Sequence, residues 1–256
     1  MLLLIFRLII FFILTLLLLP FQLLISLFFK KIIYVIPKNY HKLCCKILGI
    51  KVKKIGKISN FKPTLFVSNH ASYIDIIILS SLFKTSFVAK KEIARWPFLG
   101  LLAKLQDTVF IDRKIFSLKK QENLIINHLN KKNNLVIFPE GTSTDGNKVL
   151  FFKSALFNIF EIKKNPRINV QTITIVYKKV NGIILNRMSR RDITWHSNME
   201  LITNFLNLLK KISIEVEVVF DKKFIPNKQL NRKKIAFFCW KNINNNLINI
   251  LYRRNN

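Results

Sequence analysis

The stretch Thr64-Leu65-Phe66-Val67-Ser68-Asn69-His70-Ala71-Ser72-Tyr73-Ile74-Asp75-Ile76-Ile77-Ile78-Leu79 decides the fold. Thr64 to Ser68 reads as a short buried strand, and Ile74 to Leu82 as an apolar helix. Asn69 and Ser72, in the turn between them, are residue types that cap helices well. The same alternation continues outward. Ser86 to Ala89, Val109 to Ile111, and Leu135 to Phe138 before Pro139 read as strands. So do the β-branched run Val170 to Tyr177 and Ile214 to Phe220, which sets Glu215 and Glu217 on one face. Ser117 to Asn130 carries Leu118, Ile125 and Leu129 on one helical face. Met199 to Lys210 repeats Ile202, Phe205, Leu206 and Leu209, and a final helix is marked by Ile235, Phe238, Cys239, Ile243 and Leu247. The expectation is an α/β domain over residues 56–256, with a largely parallel sheet flanked by helices. Ligand sites in such sheets gather beyond the strand ends, where His70 and Glu140 both fall.

Residues 1–29 hold one charged side chain, Arg7, and the 22 residues from Leu8 to Phe29 hold none. That length suffices to cross a hydrocarbon core of about 30 Å. No small-residue cleavage site follows, which argues against a removed signal peptide. Lys30, Lys31, Lys38, Lys42 and Lys46 come next and place this flank on the cytoplasmic side. Pro20 removes a helical hydrogen bond, so the anchor is expected as one helix or as a pair entering and leaving one leaflet. Ile32 to Val52 mixes apolar residues with Tyr and Lys and is expected in the interface, making residues 1–55 the membrane segment.

Half of the 256 residues are hydrophobic, enough for a sizeable core. Lys plus Arg is 43 against 13 for Asp plus Glu, a net charge of +30 that favours an anionic partner. Abundant Lys, Asn, Ile and Phe with only 6 Gly is also the bias of an AT-rich genome, so part of that charge is expected on solvated faces. The basic residues are scattered and form no nucleic-acid-binding motif. Cys44, Cys45 and Cys239 make neither a CxxC nor an even framework, and read as reduced structural thiols. His41, His70, His128 and His196 lie far apart without metal-ligand spacing, so no metal is expected.

His70 and Asp75 suit proton transfer. A neutral imidazole takes a proton from an alcohol well, its unperturbed pKa being about 6.5. A carboxylate on its other nitrogen fixes the tautomer and stabilises the imidazolium. Residues five apart do not share a helix face, so the pair meets only with His70 in the turn and Asp75 in the first helical turn. Alone, this pairing is weak; most such pairs are structural or exposed. In Phe138-Pro139-Glu140-Gly141-Thr142, Pro139 ends the strand, and Gly141 allows close backbone approach. An ordinary strand-to-helix turn has the same composition. Arg113, at the end of another strand, has the geometry to grip a phosphate with two hydrogen bonds, although most arginines are simply surface residues. Gly-x-Ser-x-Gly is absent, which argues against a lipase-type covalent route.

Asn69-His70-x4-Asp75, Ile111-Asp112-Arg113 and Phe138-Pro139-Glu140-Gly141-Thr142, in this order, resemble the blocks of the glycerolipid acyltransferases, the family of 1-acyl-glycerol-3-phosphate acyltransferase. Lys90-Lys91-Glu92 with Pro97 and Gly100 is similar to the segment preceding the Arg block. The resemblance covers about residues 55 to 225. It implies His70 as the base, Asp75 as its partner, and Arg113 as the phosphate ligand. Glu140, Gly141 and Thr142 would hold the acceptor headgroup, and Lys90 would serve substrate binding. It further implies acyl transfer from acyl-CoA or acyl carrier protein, as co-substrate rather than cofactor, to 1-acyl-glycerol-3-phosphate, giving phosphatidic acid at the inner membrane. Another lysophospholipid or lyso-ornithine lipid would use the same base. Ser143 stands where the family often has Arg, and Thr172 where a Pro is expected; both departures bear on substrate fit. The rival class is a basic membrane protein that binds anionic lipid or nucleic acid without catalysis, which needs neither His70 nor Glu140.

Overall fold

The computed structural model describes residues 1–112, 118–161, 168–227 and 231–252. Among these, eight strands form one sheet. They are β1 (Ile50–Ile55), β2 (Thr64–Ser68), β3 (Ser86–Lys90), β4 (Val109–Ile111), β5 (Leu135–Ile137), β6 (Asn169–Val180), β7 (Ile183–Ile184) and β8 (Ile214–Phe220). The order is β1-β8-β6-β2-β5-β3-β4, with β7 paired to β6. β6, β2, β5, β3 and β4 run parallel to one another, while β8 is antiparallel to β6 and parallel to β1. The largely parallel sheet expected from sequence is present, with β6 antiparallel to β8 and to the short β7. β2, buried throughout, sits between β5 and β6, as a continuous apolar run requires. β8 alternates buried and half-buried residues, and its outward Glu217 and Glu215 pair with Lys53 and Lys179.

Helices cover both faces: α3 (Ile74–Leu82), α4 (Leu99–Leu105), α5 (Leu118–Asn130), α6 (Arg187–Arg191), α7 (Leu201–Leu209) and α8 (Arg232–Tyr252). One core cluster lies between the sheet and α3 with α7; the other lies beneath α5 and α8. α8 buries Ile235, Ala236, Cys239, Ile243, Leu247 and Ile250, but leaves Phe238, read from sequence as part of the buried stripe, exposed. Likewise α7 buries Asn204, Leu208 and Leu209 while Ile202 faces outward.

At the start of the chain, α1 (Leu2–Phe28) is one unbroken helix that contains Pro20. It is long and apolar enough to cross a membrane. Its buried polar residues, Arg7, Thr15 and Gln22, form a stripe against the rest of the protein. The Arg7 guanidinium donates to the carbonyls of Leu209, the last residue of α7, and of Lys211 and Ile212 just beyond it. The Gln22 amide donates to the carbonyls of Ile33 and Leu105. These contacts at both ends lay the helix along the domain, while Phe6, Phe12, Leu16, Phe21 and Leu27 remain exposed. α2 (Val35–Ile47) follows and packs on α3. Two parts of the segment assigned by sequence to the anchor and interface therefore join the folded body. These are α2 and β1, whose residues 50–55 pair along the whole of their length with β8. The alternation of Lys with apolar residues over 50–53 is that of an edge strand, not of an interfacial helix.

Candidate active site

The turn from β2 into α3 presents His70. Its ring stacks on Phe138 with centroids 4.1 Å apart, and Phe138 stacks in turn on Phe87. His70 Nδ1 lies 2.9 Å from Asp75 Oδ2. Because α3 begins at Ile74, Asp75 sits in its first turn, the arrangement the spacing demands. The Asp75 side chain is 0% exposed and that of His70 18%. Asp75 Oδ2 also accepts the backbone N–H of Ala71 at 2.7 Å and of Ser72 at 2.9 Å. Asp75 Oδ1 accepts the hydroxyl of Tyr177 on β6. The carboxylate thus closes the turn from inside, and its buried charge is compensated by donors on every side. Burial beside Asp75 pushes the Tyr177 phenol far above its usual pKa, so it remains a donor. With Nδ1 taken by Asp75, Nε2 is the nitrogen left for a substrate.

The backbone of the same turn is gripped from three other segments. The His70 N–H donates to Glu140 Oε1 at 2.7 Å, and the His70 carbonyl accepts the Thr144 N–H at 2.9 Å. The Trp195 N–H donates to the Ala71 carbonyl at 2.9 Å. Asn69 neither caps α3 nor faces solvent. Its side chain clamps Ile175 of β6, donating to the carbonyl at 3.0 Å and accepting the N–H at 2.8 Å. Ser72 does not cap α3 either, since its buried hydroxyl has no partner.

Glu140 departs from the role implied by the resemblance. It is buried, and its second oxygen accepts the Leu150 N–H at 2.8 Å. Both oxygens therefore hold backbone, one of them that of the base, so neither is directed at an acceptor headgroup. Burial pushes the Glu140 carboxyl up to about 8, against the pull of the Leu150 and His70 N–H groups. Gly141 adopts φ +77°, and its open α-carbon is covered by the end of the Lys153 side chain. Thr142 is exposed. Lys90 is exposed at the end of β3, in register with Ile111 at the end of β4. Arg113 lies outside the described residues. Thr172 spends its hydroxyl on Asp221, a partly buried tie between β6 and the residue after β8. Trp195 borders the turn, edge-on to Tyr73 at 6.1 Å.

Sequence reasoning missed Tyr177, Thr144 and the clamp made by Asn69. Asn69 and Thr144 carried a faint signal as polar residues beside the motifs. Tyr177 carried none, since an aromatic residue at the end of an apolar strand reads as core.

The sequence matches the family described as Acyltransferase over residues 49–178. It is 34% identical over 206 residues to the lyso-ornithine lipid O-acyltransferase of Brucella abortus, covering 78% of this chain and 77% of that one. Identity to the protein of the same name from Rhizobium meliloti is 33%, over 78% and 70%. To the 1-acyl-sn-glycerol-3-phosphate acyltransferase of Neisseria gonorrhoeae it is 30%, over 60% and 58%. The fold matches the crystal structure of the 1-acyl-sn-glycerophosphate acyltransferase PlsC from Thermotoga maritima, with TM-score 0.71 at 16% identity over 98% of both chains. The chain belongs to the acyltransferase family, within the glycerolipid and lysophospholipid acyltransferases, enzymes that move an acyl group onto a lysolipid hydroxyl at a membrane.

Proposed function

We propose that this protein transfers a fatty acyl group from acyl-CoA or acyl carrier protein to the free hydroxyl of lyso-ornithine lipid. His70 Nε2 takes the hydroxyl proton as the oxygen attacks the thioester carbonyl. The ester forms, the carbon–sulfur bond breaks, and the thiolate leaves with the proton returned by the imidazolium. Asp75 holds the imidazole in the tautomer with the proton on Nδ1 and stabilises its charged form. Glu140 and Thr144 fix the backbone of the base, so that Nε2 meets the hydroxyl in a constant position. Arg113 and Lys90 serve the polar end of a substrate.

The observation that carries the choice of acceptor is likeness over most of the chain. Three lyso-ornithine lipid enzymes match over 77–78% of it, against 60% for the Neisseria enzyme, while a fourth, from Pseudomonas aeruginosa, matches over 53%. Acylation of 1-acyl-glycerol-3-phosphate to phosphatidic acid is the second reading, supported by the Ile111-Asp112-Arg113 block and by the Neisseria relative. We place the exposed face of α1 in the inner membrane with the sheet on the cytoplasmic side. The exposed Trp96, Phe98 and Leu99 continue that apolar face, Phe98 stacking with Phe12 of α1 at 6.4 Å.

The test is acyl transfer by purified, detergent-held protein beside a His70→Ala control. Labelled acyl-CoA and acyl carrier protein are each offered with lyso-ornithine lipid, 1-acyl-glycerol-3-phosphate and a neutral lysolipid. Acylated ornithine lipid formed by the unmodified protein alone is the expected result. Transfer only to 1-acyl-glycerol-3-phosphate replaces the acceptor and keeps the base; undiminished transfer by His70→Ala refutes the mechanism.

A further inference from the structure

On the side of the sheet away from α1, three aromatic rings stack in a row. Phe151 lies on Trp240 with centroids 4.5 Å apart and planes 27° apart, and Phe237 lies on Trp240 at 5.7 Å and 28°. Phe151 is 73% exposed and Phe237 55%. Lysines surround them. Lys233, Phe237 and Lys241 recur at four-residue steps along one exposed face of α8, with Lys234 beside them. No acidic residue occurs in the sequence from 146 to 160 or from 222 to 256. Glu161, from the segment before β6, lies against the start of α8 and accepts the Arg232 N–H.

This surface connects to the base through a short chain of hydrogen bonds. Trp240 Nε1 donates to the Val149 carbonyl at 3.2 Å, the next residue, Leu150, donates to Glu140, and Glu140 accepts from His70. α8 packs on the second core cluster, whereas Leu4 and Leu8 of α1 pack on the first. The lipid-facing helix and the aromatic row therefore lie on opposite faces of the sheet, with His70 at the strand ends between them.

We propose, resting on the acyl-transfer reading above, that the face formed by Phe151, Phe237, Lys233, Lys234 and Lys241 docks an acidic acyl carrier protein, whose pantetheine arm then delivers the thioester to His70. Three observations favour a macromolecule. The face is the exposed side of α8 with Phe151 laid against it, whereas small ligands are held in concave sites. It joins exposed aromatics to lysines, with one acid, Glu161, at its edge and engaged by the Arg232 N–H, the complement of an acidic helix. It points away from the membrane side, as a water-borne donor requires.

The experiment compares the full-length, detergent-held protein with the triple variant Lys233→Glu/Lys234→Glu/Lys241→Glu and with Phe151→Ser, all of them exposed positions. Initial rates are measured against acyl carrier protein and, separately, against acyl-CoA. For the triple variant, KM for the carrier should rise about tenfold or more and lose most of its salt dependence, with kcat and the acyl-CoA KM unchanged. Phe151→Ser should raise the carrier KM without altering salt dependence. An unchanged carrier KM, or equal rises with both donors, overturns the proposal. A rise confined to acyl-CoA also overturns it, and assigns the face to a nucleotide. Unmodified protein that uses acyl-CoA but never the carrier overturns it too, and leaves the acyl-transfer reading standing. Failure with both donors overturns both.

Discussion

Glu140→Gln separates a residue that holds the base from one that holds the substrate. The glutamine keeps the shape of the side chain, but the pocket asks two atoms to accept: one faces the His70 N–H and the other the Leu150 N–H. A protonated carboxyl meets both, since its hydroxyl oxygen keeps a lone pair. An amide does not, because its nitrogen only donates. One buried backbone N–H is then left unsatisfied, which costs about 1–3 kcal/mol. For a chain of this size that corresponds to a fall in melting temperature of about 2–12 °C, at about 2–4 °C per kcal/mol. His70 is also released on one side, and displacement of a reacting group by about 1 Å can cost about 10²-fold in rate. We expect kcat to fall between about 10-fold and 10²-fold, with the acceptor KM little changed. Melting curves and initial rates on the same detergent-held preparation test this. A variant that melts normally and keeps kcat, with only the acceptor KM raised, would refute the reasoning and restore Glu140 to the headgroup.

The same carboxyl gives a pH signature. Its folded pKa of about 8 lies above the usual carboxylate value. The contribution of Glu140 to stability is therefore fully present below about pH 4.5 and is lost as pH rises through about 8. Glu140→Gln should flatten that part of the stability–pH curve, and an identical slope in the variant would refute the assignment. Tyr177→Phe removes one donor to buried Asp75 and should cost about 1 kcal/mol or more with a several-fold loss of kcat, read by denaturant unfolding and initial rates. Unaltered kcat and stability would show that this hydrogen bond is dispensable. Gly141→Ala forces φ +77° on an L side chain, and should lower stability by about 1–2 kcal/mol even if Lys153 moves aside. Wild-type melting would argue against that conformation.

Strands and helices with their own periodicity were legible in the sequence. β2, α3, β4 and β8 fall where local pattern puts them, because a buried strand must be continuously apolar and a one-sided strand must alternate. The juxtaposition of His70 and Asp75 was also legible, since both belong to one turn and its helix. Elements set by packing were less so. β1 is a strand because β8 offers it an edge, and α2 lies on α3. Pro20 does not break α1, whose stripe of Arg7, Thr15 and Gln22 is tied to the body along its length. Why the two motifs occur together is a tertiary fact: Glu140 and Thr144 grip a turn some 70 residues earlier in the chain. Tyr177, 102 residues from Asp75, reaches it only because β6 lies beside β2 and runs past its end. Spacing along the chain specifies contacts within a turn or a helix face. Contacts between strands depend on the order in which the sheet assembles them, which no local pattern encodes.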